Sequence, residues 1–201
     1  QKITGIRLYK SLFFFPFVIS QIVVGLVFSW FYDPTFGLFT KAIALIGLEI
    51  KGGVLGNPTA VTYGIIAAGL WPQTAYCMIL YLTGLNSVDP EQVEAARLDG
   101  AKGWKMLWYV IIPQLKPATF IAFVVTIVGA LRSFDLISIM TRGGPFGQSR
   151  VLSYYMFEKA LSEYGFRMGY GAAIAVVLFM IMLVFIAYFL WSMYQDEKGA
   201  H

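Results

Sequence analysis

The sequence predicts an all-α integral membrane protein, a polytopic helical bundle with one polar helix-turn-helix insert. Three observations point there. Hydrophobic residues make up 58% of the chain and charged residues 13%, about half the ~25% charged content of soluble domains, and mean hydropathy is +0.69. Uncharged stretches recur at close to the ~20 residues a helix needs to cross a hydrocarbon core about 30 Å thick. Between two of them, residues 89–116 combine capping residues, glycines and interspersed charge.

Four spans follow. The first, residues 12–32, is uncharged and contains Pro16, which a membrane helix tolerates when neighbours satisfy the freed backbone groups. No charged residue lies between Lys51 and Asp89, and residues 61–83 are the membrane-length part of that stretch. The third span, 117–131, is bracketed by Lys116 and Arg132; it is short for a perpendicular crossing and needs snorkelling at both ends. The fourth, 169–191, opens with Gly169, Gly171, Ala173 and Ala175, small residues that permit close helix packing.

This arrangement puts both termini and the insert on one side of the membrane, with residues 33–60 and 132–168 on the other. Lys and Arg divide almost evenly between the sides, and the uncompensated Lys2, Arg7, Lys10 group tilts the first side towards the cytoplasm. On the outer side, Asp33-Pro34 and Arg142-Gly143-Gly144-Pro145 are turn formers. Val151, Leu152, Tyr155, Met156 and Lys159 have helical spacing, which predicts short surface helices there. The chain opens at Gln1 on a basic group and an apolar run too long for a signal-peptide core, so it is expected to lack its natural beginning. Gly199, Ala200 and His201 read as an appended tail, and this single histidine is no candidate for chemistry.

Several function classes are excluded. Basic residues do not cluster or alternate with aromatics as single-stranded nucleic acid requires. Cys77 is the one cysteine, so disulfides and multi-cysteine metal sites are absent from the expectation. No phosphate-cradling Gly-x-x-x-x-Gly-Lys-Ser/Thr occurs, so no catalytic residue and no cofactor is assigned to this chain. The span interiors hold no Asp, Glu, Lys, Arg or His. That argues against a proton relay and fits a neutral, hydroxyl-rich solute.

The insert is the most informative segment. Asp89 suits an N-cap, Pro90 the first helical position, and Gln92 the reciprocal position of a capping box. Gly100 supplies the left-handed residue that ends the helix, and Ala101 lets the chain restart closely packed. In the next helix Trp104, Leu107, Trp108 and Ile111 share one face while Lys102, Lys105 and Tyr109 occupy others. Pro113 and Pro117 then turn the chain into the third span. Spacing alone favours a capped interfacial helix pair, with Glu94 and Arg97 solvated and Trp104 and Trp108 anchored at the membrane surface.

The run Glu94-Ala95-Ala96-Arg97-Leu98-Asp99-Gly100-Ala101, followed by Ile111-Ile112-Pro113, resembles the EAA loop of ABC-importer permeases. The likeness extends over nearly the whole chain, through Phe15-Pro16-Phe17, Phe31-Tyr32-Asp33-Pro34, Gly37, Ser133-Phe134-Asp135 and Met140-Thr141-Arg142-Gly143-Gly144-Pro145. These look like the sugar-type branch, the maltose and glycerol-phosphate permeases. Ile112 stands where leucine is common, and Arg142 at a position that varies.

The resemblance implies a single transmembrane permease domain over residues 1–201, short of about two N-terminal spans, with 89–116 as its cytoplasmic coupling loop. It implies residence in the bacterial cytoplasmic (inner) membrane and import by alternating access. The partners it implies are a second homologous permease, two cytoplasmic ATP-binding subunits carrying ATP and Mg, and an extracytoplasmic solute-binding protein. Glu94, Ala95, Ala96, Arg97, Asp99, Gly100 and Ala101 would meet the ATPase. For a carbohydrate or sugar derivative, amide, hydroxyl and aromatic groups are the candidate contacts: Gln21 and Ser29 on the first span, Trp71, Gln73 and Tyr76 on the second, Ser133 and Asp135 beyond the third. Bland roles stand beside these, namely interhelical hydrogen bonds for Gln21 and Gln73, a packed kink at Trp71-Pro72, and an Arg132–Asp135 ion pair. Rival readings are a permease for phosphate, amino acid or peptide, a secondary transporter, or a structural membrane protein.

Overall fold

The computed structural model describes residues 6–47, 49–162 and 165–199; Lys2, Ala200, His201 and the side chain of Arg7 lie outside that description. Every regular element among the described residues is a helix. In chain order these are α1 (Ile6–Val18), α2 (Gln21–Phe31), α3 (Leu38–Leu45), α4 (Gly53–Gly56), α5 (Val61–Asn86), α6 (Pro90–Leu98), α7 (Trp104–Gln114), α8 (Lys116–Leu131), α9 (Asp135–Met140), α10 (Leu152–Phe157, extended by a π-helical turn Glu158–Ser162) and α11 (Met168–Gly199).

Two of the expected spans are single helices long and apolar enough to cross a membrane: α5, with 26 residues, and α11, with 32. At ~1.5 Å per residue α5 measures about 39 Å and keeps Pro72 inside it. The first expected span is not one helix. α1 and α2 meet at 95°, because the Ser20 hydroxyl caps a new helix by accepting from the Ile22 N–H at 3.3 Å and Pro16 has already withdrawn one donor from the old one. The third span, α8, matches its expected limits to within a residue and meets α7 at 67°. If each bent pair counts as one crossing, the helices provide up to four.

Residues 33–60 and 132–168 fold into short helices, as the turn residues and spacing predict. Asp33 organises the first of them. Its carboxylate accepts from the Thr35 hydroxyl, the Thr35 N–H at 2.8 Å and the Phe36 N–H at 3.2 Å, and these bonds, the Thr35 hydroxyl foremost, hold its pKa below the ordinary value.

The buried core sits where α2, α5, α9 and α10 meet. Val24, Val61 and Ala68 have no exposed surface, and Tyr32, Val54, Ile65, Leu136, Ile137, Met140 and Tyr154 surround them. Tyr32 crosses between helices by donating its hydroxyl to the Gly64 carbonyl at 3.2 Å. Gly64 has to be glycine here, because a Cβ would stand 2.5 Å from Val54 Cγ1. Away from this core the long helices present large apolar side chains outward, Val184 and Leu190 of α11 among them. That distribution suits a lipid-facing surface, for which burial against lipid tails replaces burial in protein.

α8 joins α5 to α11. Phe189 of α11 makes edge-to-face contacts with Phe120 and Phe123 of α8, at centroid distances of 5.1 and 5.8 Å. Of the small residues predicted to pack at the start of α11, Gly171 does so, facing Ala160 so closely that a Cβ would lie 2.6 Å from its methyl, while Gly169 meets nothing. On the other flank Gly84 of α5 abuts α8; a Cβ there would sit 2.8 Å from Ala118 Cβ and 3.1 Å from Leu115 Cδ2. Gly84→Val should therefore overpack the α5–α8 contact and cost about 1–3 kcal/mol. The check is a lowered midpoint of thermal unfolding in detergent, with the control Gly129→Ala, whose Cβ meets nothing, not lowering it.

Candidate functional site

Two features carry the chemistry, and both are built on α5 and α8. The first is the α6–α7 hairpin that joins them. Asp89 starts α6 as the sequence predicts, its carboxylate accepting from the Glu91 N–H at 2.9 Å. The reciprocal bond does not come from Gln92. The Asp89 N–H donates instead to Gln114 Oε1 at 2.8 Å, so an amide 25 residues further on, brought back by α7, closes the base of the hairpin. Gly100 ends α6 at φ +82°, with the paired bonds of a Schellman turn: the Gly100 N–H to Arg97 O at 3.1 Å and the Ala101 N–H to Ala96 O at 2.9 Å.

Ending α6 this way leaves the motif residues outside the protein's own packing. Glu94, Ala95, Arg97, Asp99 and Gly100 are exposed, Ala96 and Ala101 half-buried. Leu98 is 86% exposed at the tip, an apolar side chain that no part of the described chain covers. α7 departs from the predicted amphipathic helix. Its middle turn, Leu107–Ile111, is π-helical, with the Ile112 N–H reaching back five residues to Leu107 O. The widened turn stands just before Pro113, whose missing N–H already interrupts the four-residue ladder. The inward residue of α7 is Met106, which precedes the widened turn, while Trp104 and Trp108 face outward and Ile111 is half-buried.

The second feature is a cleft of about 440 Å³ between α5 and α8, closed at one end by α2, α9 and the loop before α10. Three of the seven predicted contacts meet in it: Gln21, Gln73 and Ser133. Gln73 spans the two long helices, its Nε2 donating to Thr126 Oγ1 at 2.8 Å. Thr126 spends its own proton on Ala122 O at 2.7 Å, which fixes the amide orientation because the hydroxyl can only accept from Gln73. The predicted interhelical role of Gln73 is thus present, and its Oε1 remains an acceptor.

The other candidates lie elsewhere. Ser29 bonds back to the Gly25 carbonyl at 2.8 Å within its own helix. Trp71 packs 6.0 Å from Phe28 and lines a separate apolar groove between α1 and α5. Tyr76 stacks on Phe17 at 5.3 Å. Asp135 is exposed at the start of α9 and forms no ion pair with Arg132 among the described residues; the ion pair described in residues 132–168 is Arg150–Glu158, at 2.9 Å. The cleft adds residues the sequence reading passed over: Thr62, Thr126 and Ser149. Thr126, Gly129 and Ala130 recur at one helical face of α8, with Ser133 just past its end, and that stripe of small and hydroxyl residues was the available signal. Ser149, in a loop, is held by Gly144 O at 2.6 Å and Thr141 Oγ1 at 2.8 Å, and no periodicity announces it.

Residues 5–195 match the family of binding-protein-dependent transport system inner membrane components. A probable ABC transporter permease protein of Pyrococcus horikoshii is 36% identical over 94% of this chain and 65% of its own length. The multiple sugar-binding transport system permease protein MsmF of Streptococcus mutans is 33% identical over 90% of this chain and 61% of its own. This chain therefore spans somewhat less than two thirds of those relatives. Among solved structures, a chain of a bacterial alginate ABC transporter, crystallised with an alginate pentasaccharide-bound periplasmic protein, superposes with a TM-score of 0.79 at 22% identity, covering 91% of this chain and 63% of that one. With its all-helical fold, its apolar spans and the EAA-type hairpin between two of them, the chain belongs to the family of binding-protein-dependent transport system inner membrane components.

Proposed function

We propose that this chain is the permease part of an ATP-driven, binding-protein-dependent importer of a carbohydrate or sugar derivative, working by alternating access in a bacterial inner membrane. Residues 1–201 act as one multi-pass permease domain, with 89–116 as its cytoplasmic coupling loop. The observation that carries this reading is the rigidly capped α6, which holds Glu94, Ala95, Arg97 and Asp99 out of the protein's own packing. A helix so exposed and so firmly terminated suits docking on another polypeptide. The expected partners are two ATP-binding subunits that carry ATP and Mg, a second homologous permease, and an extracytoplasmic solute-binding protein. The permease is not itself catalytic.

The carbohydrate reading rests on the cleft. Its lining holds amides, hydroxyls and apolar groups and no Asp, Glu, Lys, Arg or His, which suits an uncharged hydroxyl-rich solute, and the relative from S. mutans is named for multiple sugars. Gln21, Gln73, Thr126 and Ser133 are the proposed contacts. Ser29, Trp71, Tyr76 and Asp135 are given packing or surface roles, since their partners or exposure lie away from the cleft.

Two measurements test the reading. Gly100→Val forces an L side chain into the left-handed region at a cost of about 1–2 kcal/mol, with no neighbour to clash with. The assembled transporter should then lose solute-stimulated ATP hydrolysis and transport by about tenfold or more while still assembling. Unimpaired transport by Gly100→Pro, which can adopt neither this φ nor the hydrogen bond to Arg97, would overturn the coupling role. In the cleft, Gln73→Leu should raise the solute concentration for half-maximal transport roughly 3- to 10-fold, whereas Ser29→Ala should leave it unchanged.

A further inference from the structure

α7 presents a face that neither the fold nor the proposed coupling role uses. Across the α-helical start of α7 and its π-helical turn, Trp104, Lys105, Trp108 and Tyr109 project away from the protein, while Met106 and Val110 turn towards it. Burial agrees: Met106 is buried and Val110 half-buried, while Trp104 is 74%, Trp108 60% and Tyr109 80% exposed. Lys102, exposed just ahead of the helix, adds a second cation.

The direction of α7 limits what can cover this face. α7 and α8 meet at 67°, so with α8 crossing the bilayer, α7 lies close to the membrane plane at the level of the headgroups. Charge limits it further. From Gly100 to Leu131 there is no Asp or Glu, while Lys102, Lys105 and Lys116 all fall within that stretch. The acids of the hairpin, Asp89, Glu91, Glu94 and Asp99, lie on α6 or at its ends, before the Gly100 turn. An in-plane helix with exposed indoles and phenol beside lysines is the pattern of an interfacial segment that seats aromatics at the headgroup level and pairs cations with phosphate.

We propose that the Lys102, Trp104, Lys105, Trp108 and Tyr109 face of α7 is a docking surface for anionic phospholipid headgroups. The two lysines draw the negative headgroup, and the aromatic side chains fix the depth of α7 in the interface. This rests on the membrane placement of α8, and it is independent of which solute is carried. The helix that follows the coupling tip would then ride on the membrane surface, and transport would respond to the anionic lipid content of the leaflet.

The test uses the assembled transporter in bilayers of equal parts phosphatidylcholine and phosphatidylglycerol, with Tyr109 replaced by the photoreactive p-benzoylphenylalanine. Illumination should yield lipid adducts on this chain enriched in phosphatidylglycerol. The preference should fall about fivefold for each of Lys102→Gln and Lys105→Gln and should weaken as salt rises. Equal capture of the two lipids, a preference indifferent to both lysine substitutions, or capture of the ATP-binding subunit in place of lipid would each overturn the proposal, the last assigning this face to that subunit. The same photoreactive residue at Trp191 of α11 reports membrane embedding separately. Lipid adducts there without headgroup preference distinguish a failed lipid site from a failed placement of the helices.

Discussion

The close approach of neighbouring helices to α5 is the constraint on which the rest of the structure depends. This helix is free of charge along its 26 residues and carries small side chains at its contacts. Gly64 admits Val54 and the hydroxyl of Tyr32, Ala68 is fully buried, and Gly84 admits Ala118 and Leu115. In a lipid medium apolar side chains gain little from leaving the solvent, so helices associate through tight van der Waals contact and a few interhelical hydrogen bonds. Glycines at these approaches contribute what a soluble core would obtain from bulk burial.

The same constraint leaves a gap as well as closing contacts. α5 and α8 touch at Gly84 and Ala118 and are tied by Gln73 and Thr126, yet between α2, α9 and the loop before α10 they enclose the 440 Å³ cleft. The Gln73–Thr126 bond is worth roughly 0.6 kcal/mol, and at most about 2, by the scale of membrane interhelical bonds. That is strong enough to orient the amide and weak enough to break when α5 and α8 change their spacing. A charged pair at this position would bind helix to helix too firmly to serve both purposes.

Much of this was legible in the sequence, and the misses share a cause. The α5 and α11 spans, the Asp89 cap, the Gly100 stop and the outer helices follow from composition, capping chemistry and periodicity, all local signals. The 95° turn between α1 and α2 was hidden because Ser20 lies in an uncharged run whose length argued for one span. Gln92 was the local choice for the Asp89 N–H, and Gln114 took it because α7 folds back across 25 residues. The π-helical turn before Pro113 was hidden because the spacing of Trp104, Leu107, Trp108 and Ile111 reads as regular helix. Gln73 could be named from its type, but its partner on another helix could not. Ser29, Trp71 and Tyr76 are as polar or aromatic as the residues in the cleft, and their angular position on the helix separates them from it.

The hairpin and the cleft are not independent features, because they share one pair of helices. The base of the hairpin is fixed twice, by the Asp89–Gln114 bond and by the seating of Leu115 and Ala118 against Gly84. From there Gln73 lies eleven residues up α5 and Thr126 eight residues along α8, about 16 and 12 Å at ~1.5 Å per residue. A displacement of the hairpin base at Gly84 and Ala118 therefore reaches both walls of the cleft through continuous helix. Close packing favours a few discrete arrangements over gradual deformation. The Gln73–Thr126 contact is the place where a change in the spacing of α5 and α8 would first be felt.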